Sequence, residues 1–429
     1  MITKLGGAEL TDKLGLRKPA ERVLFDIGKA TAKMRSAPSA NAARPQAEEA
    51  ARLATAVDSG AFDLRPTEDQ DELRKAARRF AEDVLRPAAH DADAAASPPA
   101  ELLERASELA LAGLSVPEAF GGVAETRSTI ANTLVIEELA RGDMGLALAM
   151  LAPLAVVNAL VDWGTREQQQ RFLPEFTGER FKPAAFALLE ARPQFDPHAV
   201  RTGAVRAKDG GFTLFGEKVM VPLATTADLF LVAAEIRGAG PRLFLVEADR
   251  AGLTVEATPS MGLRGAGLGK LRLDSVHVPG EALLGGEEGA LRELDFGAVV
   301  DRARIAWGAM AVGTAQAVLD HVIPYCNERK AFGEPITNRQ SVAFMIADLA
   351  IEIEGMRLLV HRAASLAERG APCSTEASRM RVHAATKGMK VGTDGVQLLG
   401  GHGFVKDHPV ERWYRDLRAI ALMEGALLA

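Results

Sequence analysis

The chain has 429 residues, more than one compact core usually contains, and 48% of them are hydrophobic, so we expect about two or three domains. Its formal net charge of -6 gives no indication of a nucleic-acid or membrane-surface partner. We identify no apolar stretch of the roughly 18 residues that a membrane span requires, and so expect no span.

Cysteines and histidines indicate neither a disulfide framework nor a metal site. Cys326 and Cys373 lie far apart and are interpreted as buried or surface thiols, which fits a reducing cytosol. The eight histidines show no HExxH or related metal-ligand spacing. The N-terminus lacks an apolar secretory core and contains Glu9 and Asp12, unlike acid-poor transit peptides. We therefore expect a cytoplasmic protein, and abundant Arg and Ala with sparse Lys favour a bacterial source.

Residues 1–60 are interpreted as an N-terminal extension and linker. Residues 1–34 show helical spacing, whereas residues 35–60 are rich in Ala, Pro, Ser and Asn. A contact with another subunit and a loosely packed arm both remain open as roles for this segment.

Residues 61–183 are predicted to form a helical domain. A helix should begin after Thr67, whose hydroxyl can cap the acidic first turn of TEDQDELRKAARRFAEDVL. Further helical segments are predicted at 99–112, 126–162 and 165–176.

The hydrophobic period changes near residue 184. Short β-rich stretches, including GGFTLFGEKVMV, DLFLVAAEI and KLRLDSVHVP, are separated by turn residues, and Asp209-Gly210-Gly211 is typical of a hairpin turn. We predict a β barrel or sandwich over 184–288. Long amphipathic helices then return over 289–429 and are long enough for a bundle. The fold class is thus mixed α and β, with several domains.

Two glycine-rich stretches allow a functional and a structural interpretation. GAGLGK at 265–270 has the wrong spacing for a Walker A loop and precedes a strand, so we interpret it as a turn. QLLGGHGF at 397–404 has three glycines where a helix C-terminus needs one. A helix cap and a phosphate-binding loop both remain open for this stretch.

Two charged positions are also ambiguous. The basic pair in NERKAFGEPI (327–336) is typical of a solvated helix end, but its arginine could also clamp a diphosphate. Glu424 follows the apolar residues IALM and precedes GALLA. An exposed glutamate is the usual outcome, whereas a carboxylate held among apolar residues is suited to general-base catalysis.

Taken in order, several stretches of residues 62–429 resemble the acyl-CoA dehydrogenase family. They are LAGLSVPEAFGG, WGTREQQQRFLPEFTGERF, SVHVPGEALLGG, ERKAFGEPI, QLLGGHGFVKDHPVERWYRD and MEG. The resemblance implies an N-terminal helical domain, a middle β-barrel domain and a C-terminal four-helix bundle, assembled as a dimer of dimers. It also implies FAD, bound between the middle domain and the bundle and completed by a neighbouring subunit.

The resemblance assigns site residues by position. Arg329 would meet the FAD diphosphate across the dimer interface, and Phe332 and Gln340 would lie near the adenosine end. The other side of the diphosphate would be cradled by Gln397, Gly400 and Gly401. Glu424 would remove the α-proton of an acyl-CoA thioester while flavin N5 accepts the β-hydride. Some members carry the base on an earlier helix, one residue before an arginine. This chain has Ala303 at that position, followed by Arg304, and we expect Arg304 to bind substrate.

Two segments depart from the family pattern at the flavin ring. The segment LEARPQFD (189–196) replaces TEPGAGSD, with Leu189 in place of a ring-bonding hydroxyl and Phe195 in place of a substrate-side serine. The segment VMVPLA (219–224) replaces MWITNG, with Met220 in place of a covering tryptophan and Pro222 in place of a threonine that reaches N5. After Glu424 the family continues with a Thr/Ser-rich turn and a helix that contact FAD, where this chain has GALLA. We expect the diphosphate side to be kept and the ring side to be weakened.

Two functions follow from this resemblance. The first is an active dehydrogenase of fatty acid and lipid metabolism that passes electrons to an electron-transferring flavoprotein. The second is a weakly active or inactive partner subunit of a hetero-oligomer, which lends Arg329 and the glycine loop to a flavin seated on its partner. Other flavin chemistry on the same fold, such as oxygenation, is a third possibility. The sequence leaves the acyl chain and the choice between a homo- and a hetero-oligomer open.

Overall fold

The computed structural model describes residues 65–286 and 293–429, except residues 110, 112, 114, 125, 126 and 179. By its internal contacts the chain divides into a unit of Met1–Ala61 and a unit of Phe62–Ala429, and the described residues all belong to the second. The predicted extension and linker at 1–60 lie outside them.

The first described helix begins where the sequence predicts. The Thr67 hydroxyl accepts a hydrogen bond from the Gln70 amide, and the Gln70 side chain accepts one from the Thr67 amide. This capping box precedes α1 (Glu68–Phe80). The chain continues through a π-helical turn into α2 (Arg86–Ala95), and α3 (Ala100–Ala106) follows.

Asp143 divides the helix predicted at 126–162 into α4 (Thr129–Gly142) and α5 (Met144–Trp163), and its carboxylate caps α5 by accepting from the Leu146 amide.

The expectation that no apolar stretch is long enough for a membrane span was wrong. α5 has 20 residues and a mean hydropathy of 2.2 over its most apolar window, which is enough by length and composition. However, 94% of that window is buried inside the protein, so α5 is a core helix.

Seven strands follow α6 (Arg166–Phe176) and form one mixed sheet. They are β1 (Ala184–Ala187), β2 (Gly203–Arg206), β3 (Phe212–Val221), β4 (Leu229–Ile236), β5 (Gly240–Glu247), β6 (Leu253–Ala257) and β7 (Gly269–Val278). Their order is β1-β4-β2-β3-β7-β6. β4 pairs in parallel with β1 near its start and with β2 near its end, and antiparallel with β5 along its length. The sheet therefore branches at β4.

Both turn predictions in this region are confirmed. β2 and β3 form an antiparallel hairpin whose turn contains Gly210 at a φ of 88° and an Asp209 carboxylate that accepts from the Gly211 amide. The GAGLGK stretch (265–270) begins within a short turn, Arg264–Ala266, and ends in the first two residues of β7.

The C-terminal part is helical, as predicted. It contains α7 (Phe296–Glu328), a short hairpin of β8 (Lys330–Ala331) and β9 (Glu334–Pro335), and three more helices. These are α8 (Gln340–Glu368), α9 (Ser374–Leu399) and α10 (Val410–Ala419). α7 packs against α4, α8 and α9 and is the central helix of this part. The domain boundaries at 183/184 and 288/289 stay predictions.

Two hydrophobic cores lie within the described residues, and both join helices to the sheet. The smaller one includes Phe186 of β1, Leu231 of β4, Ala303 of α7 and Leu428 near the end of the chain. The chain after α10 is thus threaded into the interior between β1 and α7. Cys326 and Cys373 are both buried and unbridged, in agreement with the prediction of thiols.

Candidate active site

Glu424 lies in the turn region after α10 and is buried, with 4% of its surface exposed. Its Oε1 accepts a hydrogen bond from Arg304 Nη2 on α7 at 3.2 Å and lies 3.0 Å from Arg381 Nε on α9. Its Oε2 is buried and has no hydrogen-bond partner among the described residues. One oxygen of the carboxylate is therefore fixed by two cations, and the other is left as an acceptor.

Arg381 was not identified from the sequence. Its Nη1 donates to the carbonyl oxygens of Ile420 and Met423, at 3.2 and 2.9 Å, so it also holds the turn that leads to Glu424. Burial lowers the pKa of Arg381, and the charge of Glu424 acts against this. In the sequence Arg381 is one of several cations on a helix, and a single sequence does not show that its partner is Glu424, 43 positions later.

The residues after Glu424 turn into the protein. Trp307 Nε1 donates to the Gly425 carbonyl oxygen and Asn158 Nδ2 to that of Leu428, each at 2.8 Å, and Arg127 Nη1 donates to that of Ala429 at 2.6 Å. Ala426 forms an isolated antiparallel bridge with Phe186 of β1. These contacts hold the turn containing Glu424 against α5, α7 and β1.

The turn that carries Glu424 and the end of the strand that leads into segment 189–196 meet at Gly425. A Cβ added to Gly425 would lie 2.5 Å from Leu188 Cβ, so only glycine fits between the turn and the strand that leads to Leu189. The alternative base position, Ala303, is fully buried in the same core, one residue before Arg304. Glu424, Arg304 and the start of segment 189–196 are thus close together.

A cleft of about 520 Å³ brings together most of the residues assigned to the diphosphate and the adenosine end of FAD. Its lining includes Arg329, Phe332, Gln397, Gly400 and Gly401. Gln340 is not part of the lining, although it begins α8 between two residues that are, Arg339 and Ser341. A separate cavity of about 320 Å³ between α3, α5 and the end of α6 contains none of the predicted site residues.

The three glycines of QLLGGHGF have different roles. A Cβ at Gly403 would lie 2.3 Å from the Val396 carbonyl oxygen, so this glycine is required by packing. A Cβ at Gly400 or Gly401 would meet nothing within 4 Å, and Gly400 has a φ of 58°. The main chain at Gly400 and Gly401 is therefore open to the cleft, which favours a ligand loop in addition to a helix cap.

Two further residues of the cleft lining were not predicted. Tyr325 on α7 donates its hydroxyl to the Leu399 carbonyl oxygen at 3.3 Å and lies 2.9 Å from His402 Nδ1. On the other wall, the Arg339 guanidinium lies 5.4 Å from the ring of Phe332, which is 95% exposed. A cleft with two arginines and open glycine amides fits a diphosphate-containing cofactor.

The ring-side segments meet through the main chain. The Val219 amide donates to the Leu189 carbonyl oxygen at 2.9 Å, which joins segments 189–196 and 219–224. Met220 has a φ of 56°, a left-handed conformation that is unfavourable for methionine. Phe195 is half-buried, 5.1 Å from the guanidinium of Arg192, and Pro222 is buried. Neither Leu189 nor Pro222 has a side-chain donor for a flavin.

A buried ion pair behind these segments was also missed. Lys218 of β3 is fully buried, and its Nζ donates to Glu190 Oε1 at 2.9 Å and to the Leu188 carbonyl oxygen at 3.1 Å. Burial lowers the pKa of Lys218 to about 8. This lysine was not among the residues identified from the sequence. Among the described residues no group of three or more His, Cys, Asp or Glu side chains could hold a metal ion.

Comparison with known proteins places three family models in succession along the chain. They are the acyl-CoA dehydrogenase N-terminal domain at residues 67–179, the middle domain at 185–276 and the C-terminal domain at 297–427. An acyl-CoA dehydrogenase of Bacillus subtilis is 33% identical over 374 residues, which cover 84% of this chain and 96% of the relative.

Two solved structures have a similar fold. The butyryl-CoA dehydrogenase of Megasphaera elsdenii is 30% identical with a TM-score of 0.77, and the match covers 85% of this chain and 96% of that one. A chain of an Acidaminococcus fermentans structure described as an electron transferring flavoprotein is 31% identical, with the same TM-score and the same coverage.

Proposed function

The chain belongs to the acyl-CoA dehydrogenase family, and we propose that it catalyses the FAD-dependent α,β-dehydrogenation of an acyl-CoA thioester, with Glu424 as the base. The family resemblance and the mixed α and β multidomain fold inferred from the sequence are confirmed. The protein is accordingly a flavoprotein oxidoreductase, and its cofactor is FAD.

The observation that carries this proposal is the asymmetric environment of Glu424. A general base needs an oriented carboxylate with a lone pair that no hydrogen bond occupies. Arg304 donates a hydrogen bond to Oε1 and Arg381 Nε lies 3.0 Å from the same atom, so Oε1 is fixed, whereas Oε2 has no partner among the described residues. Oε2 is therefore the atom that we assign to the α-proton of the thioester.

The remaining residues are assigned to binding. FAD, when bound, supplies the acceptor for the hydride that leaves the β-carbon. Arg329 and the main chain at Gly400 and Gly401 hold its diphosphate, with the Gln397 side chain beside them. Phe332 and Gln340 lie toward the adenosine end. The ring edge is held by Leu189, Met220 and Pro222 through main chain and apolar contact, and Phe195 and Arg304 face the substrate.

Names of the relatives support the choice of substrate and electron acceptor. The Megasphaera elsdenii structure is a butyryl-CoA dehydrogenase, and the Acidaminococcus fermentans structure is described as an electron transferring flavoprotein. We accordingly take a short acyl-CoA as the first substrate to test and an electron-transferring flavoprotein as the acceptor. The relatives named here are bacterial, which supports a bacterial and cytoplasmic origin.

A second function is favoured by the outward-facing cleft. Arg329 is exposed and Phe332 is almost fully exposed, so these side chains could contact a flavin held mainly by another chain. The ring-side segments, by contrast, lack the side-chain donors of the family pattern. Together they support an alternative role as a weakly active or inactive partner subunit of a hetero-oligomer.

Both functions require an oligomer, which we propose to form through α8. Phe344, Ile351 and Leu358 recur at seven-residue spacing along α8 and are all exposed. Side chains at this spacing share one face of a helix, so they form an apolar stripe on the same helix that begins at Gln340 beside the cleft. A neighbouring subunit on this stripe would lie close to Arg329 and Phe332.

The first experiment is to purify the chain alone, record its visible spectrum and assay a panel of acyl-CoA thioesters with an electron-transferring flavoprotein. Yellow protein with near one flavin per chain and turnover of a short acyl-CoA supports the dehydrogenase. Colourless, inactive protein that gains flavin only when a second dehydrogenase-like chain is co-expressed supports the partner subunit instead.

A further inference from the structure

Lys218 is buried without an obvious reason in a strand of the sheet. It is 0% exposed and among the largest fully buried side chains of the described residues. A lysine in such a place must satisfy its ammonium group, because an unpaired buried charge is strongly unfavourable. Its two hydrogen bonds go to Glu190 Oε1 and the Leu188 carbonyl oxygen, both next to Leu189.

Glu190 connects this lysine to the rest of the sheet. Its carboxylate accepts hydrogen bonds from the Thr202 amide and hydroxyl, each at 2.8 Å, and from the Arg201 amide at 2.8 Å. The Thr202 carbonyl oxygen in turn accepts from the Glu235 amide of β4 at 2.7 Å. Glu190 therefore ties the start of segment 189–196 to β3 and to the residues just before β2, and through them to β4.

The ion pair lies directly behind the contact between the two ring-side segments. Leu189 precedes Glu190, Val219 follows Lys218, and the Val219 amide donates to the Leu189 carbonyl oxygen. The next residue, Met220, is in the left-handed region, and so is Gln194 at a φ of 51°. Unfavourable conformations of this kind persist only where surrounding contacts impose them.

Stability does not explain the pair. Desolvating two charges usually offsets their mutual attraction, and apolar replacement of a buried ion pair is often neutral or stabilising. What the pair does provide is a fixed distance between two segments that have no side-chain donor at Leu189 and Pro222, the positions assigned to the flavin ring. We propose that Lys218 and Glu190 are positioning residues that hold segments 189–196 and 219–224 in the arrangement that grips the flavin ring. This inference rests on the proposed function.

The test compares four variants of the full-length chain. Lys218→Met and Glu190→Gln each break the pair, and Glu190→Gln with Lys218→Met removes both charges. The control, Arg357→Met, removes an arginine from a half-buried carboxylate elsewhere, that of Glu137, between α4 and α8. Three quantities are measured: FAD affinity by titration, the visible spectrum of bound flavin, and the melting temperature without flavin.

We expect each single variant to weaken FAD by about tenfold or more, the factor that corresponds to 1.4 kcal/mol, and to shift the flavin spectrum. The double variant should recover the melting temperature of the wild type but not its FAD affinity, because removing both charges leaves no unpaired buried charge but does not restore the link between the segments. Arg357→Met should lower the melting temperature and leave the spectrum unchanged.

The outcomes separate this inference from the function on which it rests. A stable double variant with wild-type FAD affinity and spectrum overturns the positioning role and leaves the dehydrogenase intact. If the single variants fail to fold, the double variant decides alone by the same criterion. A wild-type chain that binds no FAD under any of these conditions overturns the proposed function and this assignment together.

Discussion

Arg381 Nε lies 3.0 Å from Glu424 Oε1, so the proposed base is held by a cation from α9, 43 positions earlier in the chain. The same arginine donates through Nη1 to the Ile420 and Met423 carbonyl oxygens. One side chain thus fixes both the carboxylate and the turn that carries it. The position of Glu424 therefore depends on α7 and α9, which carry Arg304 and Arg381, as much as on its own segment.

Removing the carboxylate should abolish turnover with little effect on flavin. We expect Glu424→Gln to keep its fold and FAD content while acyl-CoA turnover falls by about 100-fold or more, since a general base contributes roughly 10²–10⁴ in rate. Glu138→Gln is the matched control, because Glu138 is equally buried and is paired with Arg78. Turnover within a few-fold of wild type in Glu424→Gln would place the base elsewhere.

Arg381 should act as a positioning residue. Arg381→Met loses the contact with Oε1 and both bonds to the 420–423 turn, so we expect turnover to fall by about 10- to 100-fold, the effect of a misplacement on the order of 1 Å. Arg381→Lys should recover part of this loss, because an ammonium can replace one contact but not the guanidinium geometry. The measurement is kcat and KM for the same acyl-CoA. A change confined to KM would mean that Arg381 binds substrate and does not orient the base.

The diphosphate cleft predicts a graded effect on FAD. Arg329→Ala should weaken FAD, because a charge-assisted contact is lost, and Arg329→Lys should restore only part of the affinity. Arg237→Ala removes an exposed arginine from the β4–β5 turn and serves as the control in the same fluorescence titration. Equal FAD affinity in all three variants and the wild type would remove Arg329 from the site.

The ring-side segments predict a weakly held flavin that substitution can tighten. Each lost hydrogen bond to a ring atom corresponds to on the order of 1 kcal/mol, so wild-type protein that is yellow as purified should lose part of its FAD when it is diluted. Leu189→Thr combined with Pro222→Thr restores two hydroxyls and should tighten FAD by about tenfold or more. Wild-type protein that stays yellow through dilution, with no gain in the variant, would show that other contacts hold the ring.

Lys218 gives two pH effects of opposite sign. Its pKa is lowered in the folded protein from 10.5 to about 8 by burial, with Glu190 and Arg192 as the charged groups that face it. Between these values the unfolded chain binds the extra proton, so wild-type stability should rise with pH relative to Lys218→Met, by about 3 kcal/mol at most.

FAD affinity should fall over the start of the same range, because the ion pair with Glu190 loses its cation as pH rises past about 8. Urea unfolding and FAD titration of the wild type and Lys218→Met at pH 7 and pH 10 measure both effects. A difference between the two proteins that stays constant with pH in both measurements would contradict the titration of Lys218.

Local patterns predicted the parts of this protein that depend on local physics. The cap at Thr67, the turn at Gly210 and the long C-terminal helices follow from residues a few positions apart, and the structure has all three. The expectation that no apolar stretch is long enough for a membrane span was wrong at α5. A long apolar run of this kind fits a buried core helix as well as a membrane span.

Long-range pairings were the part that the sequence could not supply. Glu424 was selected from its apolar neighbours, but Arg381 lies on another helix and its sequence context is that of any amphipathic helix. Lys218 and Glu190 were not identified from the sequence, and only the packing of β3 against segment 189–196 shows that they are buried together.

The most direct test of the proposed dehydrogenation is the bleaching of bound flavin by substrate. Purified wild-type protein and Glu424→Gln, both loaded with FAD, are mixed with butyryl-CoA without oxygen, and the flavin absorbance is followed in a stopped-flow spectrometer. We predict rapid bleaching in the wild type and little or none in Glu424→Gln. Equal bleaching in both proteins, or none in a fully loaded wild type with butyryl-CoA or any longer or branched acyl-CoA, would contradict Glu424-dependent dehydrogenation.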